Sequence, residues 1–470
     1  MALTGFLDQP RTENPFRAAD ARLADFEDLH TPLNTEMRHL QASRCMNCGV
    51  PFCQSDYGCP LHNLIPEWNR LLDLGHEQAA LSRLLQTAPF PEFTGYVCPA
   101  LCEKACNLAD NGVTNRDNER YLIETGYANG WIQPFIPERR NGKTVAVIGS
   151  GPSGLAAADL LNRLGYTVTV IERADRPGGL LMYGIPNMKL PKYVVTRRIE
   201  LMQHSGISFM LNTEGAPECL SAYDAVLLCG GARTPRHLNL ENENIPGVLY
   251  AVPYLSEVTR AHLAQRPAEY DARGKHVIVV GGGDTGNDCV GTVLRQGAAS
   301  VVQLEMMPAP PETRTPSNPW PEWPRILRTD YGQLEAISRQ GLDPRIYETT
   351  IRTIIPAESG QIEAVETITV KRSQSGRFEP VPGTEHRLPC DLLLIAAGFT
   401  GCERSTADRF GVTPDNRGNL SAAGKSHHIR GNLFSAGDMR TGQSLVVRAI
   451  ADGRAAALSI DAYLMPAQNS

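Results

Sequence analysis

The chain has 470 residues, 42% of them apolar and 20% charged, with a net charge of −6. That length predicts about three domains, each with apolar residues enough for a core. The acidic balance without a basic block argues against nucleic acid, no apolar run reaches the roughly 18 residues of a membrane span, and no basic-then-apolar leader opens the chain, so we expect a cytoplasmic protein.

Residues 1–35 are polar and irregular, a tail or a segment that lies along a partner. Residues 36–44 can form a helix that delivers Cys45. Cys45-x2-Cys48-x4-Cys53-x5-Cys59-Pro60 follows, then Cys98-Pro99-x2-Cys102-x3-Cys106. Seven of the twelve cysteines lie in these two blocks. Without a leader, such crowding favours metal or cluster ligation over disulfides. Tightly spaced thiolates followed by distant ones suit iron–sulfur cubanes, each wanting four soft ligands. Seven thiolates serve two cubanes if one ligand is not cysteine. Zinc is the rival, although two irregular blocks do not make tidy CxxC pairs; structural thiols are the third reading. Between the blocks, residues 65–85 read as two amphipathic helices that form a small core. This module should end near residues 134–137. The remaining cysteines (Cys219, Cys229, Cys289, Cys390, Cys402) are scattered and read as small core residues. No CxxC accompanies the nucleotide motifs, so a dithiol outlet is not expected.

The stretch from Lys143 carries the clearest signal. Val145 to Ile148 reads as a buried parallel strand that enters Gly149-x-Gly151-x-x-Gly154. The first glycine allows a tight turn, the second lets backbone approach a pyrophosphate, and the third lets the helix pack close on the strand. Residues 155–164 read as a helix whose N-terminal N–H groups face the phosphates. A strand over Thr167 to Ile171 ends at Glu172, 23 residues after Gly149, where an acid can accept both hydroxyls of an adenosine ribose. The bland alternative is a glycine turn in an ordinary α/β domain. Arg176-Pro177-Gly178-Gly179-Leu180 then allows a close approach to a ligand or is a surface turn. A helix over 193–203 and strands at 208–211 and 225–228 follow, the last ending in Cys229-Gly230-Gly231-Ala232, another close-approach point.

A second unit starts at Lys275. A strand (276–280) leads into Gly281-x-Gly283-x-x-Gly286, a helix through Gln296, and a strand (300–304) that ends at Glu305. Two units imply two dinucleotides, one a tightly held redox carrier and one exchangeable; the alternative is a decayed duplicate. Glu305 repels a 2′-phosphate and favours NADH, yet Arg314, Arg325 and Arg328 could accommodate one. Residues 306–333, rich in Pro and Trp, either cover the nucleotide or form packed surface. Three β-like runs (347–355, 362–371, 378–381) predict an antiparallel meander. A strand at 391–397, a strand through Phe434 ending in Gly437-Asp438, and a helix over 444–457 follow; the Gly-Asp could bond a ribityl chain, or be a plain turn. The expected layout is α/β, with two Rossmann-like dinucleotide-binding domains, one split around the other, preceded by a mainly α-helical iron–sulfur domain. The expected divisions are 1–140, then 141–265 with 390–470, and 266–389 between them.

With the cysteine module, the two glycine motifs and the Gly-Asp in line, the chain resembles the small (beta) subunit of glutamate synthase over nearly its whole length. The stretches that carry this include CMNCGVPFC from Cys45, GYVCPALCEKAC from Gly95, NERYLIE from Asn118, RPGGLLMYGIP from Arg176, VVGGGDTGNDCVGT from Val279, NPWPEWPRI from Asn318 and FSAGDMRTGQSLVVRAI from Phe434. The N-terminal part of dihydropyrimidine dehydrogenase looks similar but continues into further domains. The resemblance implies FAD in the first unit, at Gly149, Gly151, Gly154, Glu172, Gly179, Leu180, Gly437 and Asp438. It implies NADPH or NADH in the second, at Gly281, Gly283, Asp284, Thr285, Gly286 and Glu305. It implies two 4Fe-4S clusters, one on Cys45, Cys48, Cys53 and Cys106, the other on Cys59, Cys98 and Cys102 with Glu119 as a possible eighth ligand, although a helical Glu is ordinarily solvated. It implies no catalytic side chain and a glutamate synthase large (alpha) subunit as partner, with no nucleic acid and no membrane. A flavin and iron–sulfur transhydrogenase, or a ferredoxin–NAD(P)H oxidoreductase, shares these motifs. A zinc-stabilised nucleotide-sensing regulatory protein is the alternative of another class.

Overall fold

In a computed structural model that describes residues 4–420 and 426–465, the N-terminal third is helical and the remainder is built on two parallel sheets. The helical module contains Thr35–Ala42, Ile65–Asp73, Glu77–Leu85, Pro91–Val97, Leu101–Lys104 and Asn115–Ala128. Asn34 starts the first of these by accepting from the Met37 N–H at 2.9 Å, which satisfies one orphan donor of the first turn. Ile65, Trp68 and Leu72 recur at helical spacing and bury one stripe against Leu81, Leu84, Leu122 and Ile123.

The first sheet has six strands, in the order His428–Arg430, Leu433–Ser435, Ala225–Leu228, Thr144–Ile148, Thr167–Ile171 and Ser208–Met210. Every pair is parallel except the first, which is an antiparallel edge. Val145, Val147, Val168, Val170 and Leu227 are buried among helices, as an apolar run in a sheet covered on both faces requires. The second sheet runs Val248–Tyr250, Leu392–Ile395, His276–Val280, Ser300–Leu304 and Arg345–Ile346, all parallel. An antiparallel set of Thr349–Pro356, Ile362–Arg372, Phe378–Pro380 and His386–Pro389 packs beside it.

Sheet membership differs from the expected divisions. Leu392–Ile395 pairs with His276–Val280, so it belongs to the second unit rather than to the 390–470 segment of the first. Val248–Tyr250 joins the same sheet, and the Ala251–Leu263 helix packs into the second core through Tyr254, Leu255 and Val258, although 265 was the expected boundary. Both strands are short and uniformly apolar or half-buried. Such a run fits the centre of either sheet, and only pairing assigns it.

Residues 10–33 are neither a tail nor free. The Asn187 amide donates to the Phe26 carbonyl at 2.8 Å, the Leu29 N–H donates to Met188 at 3.2 Å, and Arg22 pairs with Glu335 at 3.0 Å. Arg38, fully buried, donates to Asn14 at 2.8 Å and Asn118 at 2.9 Å. Between the sheets, Lys189 pairs with Asp288 at 2.9 Å, and the Tyr331 hydroxyl donates to the same carboxylate at 2.9 Å. Among the described residues, no helix is long and apolar enough to cross a membrane.

The C-terminal helix Val446–Leu464 crosses the Pro152–Arg163 helix at Gly453, where a β-carbon would stand 2.1 Å from the Ser153 carbonyl oxygen. Gly453→Ala should push the helices apart at a cost of about 1–3 kcal/mol. The measurement is the thermal midpoint followed by circular dichroism; an unchanged midpoint would show that the crossing tolerates a methyl group.

Candidate functional site

The two glycine turns have one geometry. Gly149 has φ +104° and Gly281 has φ +121°, backbone that L side chains avoid. A β-carbon on Gly149 would lie 2.6 Å from the Cys229 carbonyl, and one on Gly281 would lie 2.3 Å from that of Ala396. A β-carbon on Gly154 would meet the Gly149 carbonyl at 2.0 Å, and on Gly286 that of Gly281 at 2.1 Å. Gly151 and Gly283 face open space within 4 Å, so at these positions backbone alone borders the approach to each helix N-terminus.

The first turn opens on a cavity of about 1210 Å³, mouth included. Gly149, Gly151, Glu172, Gly179, Leu180 and Asp438 line it; Gly154 stands behind, packing helix on strand, and Gly437 lies at the entry to the next helix. Glu172 accepts from the Ser150 N–H at 3.0 Å, the Ser150 hydroxyl at 2.5 Å and the Ala174 N–H at 2.9 Å, which fixes its carboxylate at the rim of the turn. The Gly178 N–H donates to Ser150 Oγ at 2.9 Å, so the double glycine is anchored to the same turn. Burial pushes the Asp438 carboxyl up to about 6, while a 2.7 Å bond from Ser444 opposes the rise. The cavity also takes residues outside every quoted stretch (Thr213, Arg233, Glu403 and Arg409) and two, Met439 and Val446, that lie within one without having been singled out. Arg173 grips Glu403 in a fork at 2.6 and 2.8 Å, across 230 residues of chain. Sequence offers no pattern for such a pair.

A second cavity lies between the two units. Thr285, at the start of the Asp284–Gln296 helix, lines it together with Tyr250, Arg260 and Gly398. Gly179, Leu180, Ala232 and Arg233 line both cavities, so a group held in one reaches the wall of the other. Glu305 hangs over the second turn: its Oε1 accepts from the Met307 N–H at 2.9 Å, and Oε2 stands 2.0 Å from where a Gly282 β-carbon would be. Among the arginines, Arg328 is held below its ordinary value chiefly by burial, with the Asp284 charge opposing and the Arg314 charge adding to the effect.

The cysteines fall into two groups. Cys45, Cys48, Cys53 and Cys106 line one cavity with Phe52 and Asn107. Burial first, then mutual repulsion, pushes the Cys45 thiol up to about 12 and that of Cys53 further. Cys59, Cys98 and Cys102 form the other group and repel one another, with Glu119 acting on Cys59 and Cys98. Glu119 is not a solvated helix residue: it points inward, accepts from the Thr94 hydroxyl at 2.5 Å, and is pushed up to about 8 by burial. Cys53 acts on Cys102, so the groups adjoin. Among the described residues, no three Cys, His, Asp or Glu side chains stand close enough to hold a single metal ion. A set of half-buried and buried thiols around one cavity, all of which must lose their protons to bind, fits a soft polynuclear cation, which would compensate the thiolate charges. Val447 shares its apolar cluster with Cys53 and Cys59, against which Leu445, Cys98 and Cys102 pack.

Residues 22–131 match the family described as dihydropyrimidine dehydrogenase domain II, 4Fe-4S cluster, and residues 143–318 match pyridine nucleotide-disulphide oxidoreductase. The chain is 46% identical to the glutamate synthase [NADPH] small chain of Bacillus subtilis, over 98% of both. It belongs to the glutamate synthase small-chain family. It is therefore an NAD(P)H-dependent flavin oxidoreductase with an iron–sulfur domain. Among other small-chain relatives, that of Mycobacterium tuberculosis is 41% identical over 98% of this chain and 96% of its own. The glutamate synthase [NADH] of Saccharomyces cerevisiae is 44% identical over 98% of this chain but only 22% of the yeast protein. In fold, Mycobacterium tuberculosis FprA in complex with NADPH superposes with a TM-score of 0.52 at 18% identity, over 68% of this chain and 84% of that one.

Two tests address the small-chain site residues. Glu305→Ala should raise KM for NADH about tenfold or more, since a hydrogen bond to a charged group contributes about 1.5–3 kcal/mol, and raise that for NADPH far less. Equal effects on the two nucleotides would remove this acid from the choice between them. Cys106→Ser should retain flavin while iron and sulfide fall by about half; full iron content would exclude Cys106 as a ligand.

Proposed function

We propose that this chain is the electron-input subunit of glutamate synthase, working in the cytoplasm beside a large subunit that makes glutamate from glutamine and 2-oxoglutarate. Gly281, Gly283, Asp284, Thr285, Gly286 and Glu305 would hold the nicotinamide dinucleotide. Gly149, Gly151, Gly154, Glu172, Gly179, Leu180, Gly437 and Asp438 would hold FAD. Cys45, Cys48, Cys53 and Cys106 would hold one 4Fe-4S cluster, and Cys59, Cys98, Cys102 and Glu119 the other. Together these groups supply hydride donation, the change from two electrons to one, and single-electron carriage.

The chain's own residues orient and insulate. The fixed carboxylate of Glu172 can read a ribose, the bare backbone at Gly151 and Gly283 admits a pyrophosphate, and the wall shared by Gly179 and Leu180 brings the two cavities together. The observation that carries the proposal is the turn at Leu445–Val447. Val446 lines the first dinucleotide cavity, while Leu445 and Val447 pack against the thiol groups, so one short segment joins the two chemistries. The partner reading draws on the yeast relative, in which a matching segment occupies only about a fifth of a longer glutamate synthase.

The test is a reconstitution. The chain is purified anaerobically, a glutamate synthase large subunit is added, and NADH or NADPH oxidation is followed with glutamine and 2-oxoglutarate present. We expect oxidation that requires every component and yields glutamate. Oxidation with artificial acceptors alone, and no complex, would replace this reading with the transhydrogenase or ferredoxin one.

A further inference from the structure

The Pro- and Trp-rich stretch after Glu305 reaches the helical module. The Trp320 indole N–H donates to the Cys106 carbonyl at 3.0 Å, and its ring lies 4.9 Å from that of Phe52, centroid to centroid. Phe52 and Cys106 both line the first thiol cavity, as does Cys53. One side chain from the second dinucleotide unit therefore touches the Cys106 backbone and Phe52, the neighbour of Cys53, two points far apart in sequence.

The loop behind Trp320 is built to hold it. Asn318 is buried at its hub: its amide donates to Glu322 and to the Trp323 carbonyl, both at 3.1 Å, and its oxygen accepts from the Arg325 N–H at 2.8 Å. The Arg328 guanidinium stacks on Trp323 at 3.8 Å, and the Leu327 N–H bonds the Pro311 carbonyl at 2.8 Å to close the base. The residues that flank Trp320 are thus tied to one another within their own loop, while its side chain contacts the helical module.

We propose that Trp320 is a positioning residue that seals the first thiol cavity, holding the Cys106 backbone and keeping water from the edge between Phe52 and Cys106. The inference rests on the reading of Cys45, Cys48, Cys53 and Cys106 as one ligand set. Reduction of a cluster adds negative charge, which water would solvate. A dry edge therefore holds the potential low and slows attack by oxygen. The second unit in this way sets the environment of a group that it does not ligate.

The experiment uses the full chain, purified anaerobically, as wild type, Trp320→Phe, Trp320→Ala and Cys106→Ser. Flavin absorbance reports folding, and iron and sulfide report loading. The readouts are the midpoint potential of each cluster signal in an electron paramagnetic resonance titration and the rate of bleaching in air. The signal missing from Cys106→Ser identifies the first cluster. Trp320→Ala should bleach about tenfold faster or more, and both Trp320 variants should move that midpoint to more positive values, leaving the other in place. A Trp320→Ala protein with full flavin, an unchanged midpoint and unchanged bleaching overturns the inference. If that variant lacks flavin, Trp320→Phe decides, because it keeps a ring and loses the N–H: an unmoved first midpoint overturns the inference. Cys106→Ser with every signal intact would instead defeat the ligand reading on which the inference stands.

Discussion

In each dinucleotide unit a carbonyl oxygen stands where the β-carbon of any residue but glycine would be. The Gly149 carbonyl excludes a side chain at Gly154, and the Gly281 carbonyl excludes one at Gly286. This contact sets the distance between strand and helix and thereby aims the helix N-terminus past Gly151 or Gly283. The rest of the structure depends on it. Moving either helix outward by a methyl group would shift its N-terminus away from the glycine turn, and in the first unit would disturb the helix on which Val446–Leu464 lies.

That last helix ties the first cavity to the thiol module. It packs along Pro152–Arg163, enters beside the first cavity through Ser444 and Val446, and sends Leu445 and Val447 into the thiol module. Its position follows from the glycine contact at one end and from the Gly453 crossing at the other. The buried Lys189–Asp288–Tyr331 junction adds the same rigidity between the two dinucleotide units.

Much of this was legible in sequence because the constraints are local. The glycine motifs, the acids at Glu172 and Glu305, and the strand–helix–strand order around them depend on neighbours in the chain. The cysteines were legible by type and number, but their division into two groups came with a family resemblance, since spacing does not say which distant thiol closes which set. Glu119 illustrates the difference: its helix buries polar as well as apolar residues, so nothing in its pattern says that the carboxyl turns inward to Thr94. Illegible features were long-range. Leu392–Ile395 carries no mark of its sheet, the Arg173–Glu403 fork spans 230 residues, and the loop around Trp320 looks like surface until it meets Phe52.

The N-terminal segment has a temporal side. Arg22 is buried against Glu335, which Arg295 also grips at 2.6 Å. On the ribosome the arginine emerges 313 residues before its carboxylate exists. The helical module can fold around Asn14 and Asp28 while Arg22 still waits in water, because a charged side chain stays solvated until its partner arrives. Arg22 is thus seated long after it is made, and its docking marks a polypeptide whose second dinucleotide unit has been made at least as far as Glu335.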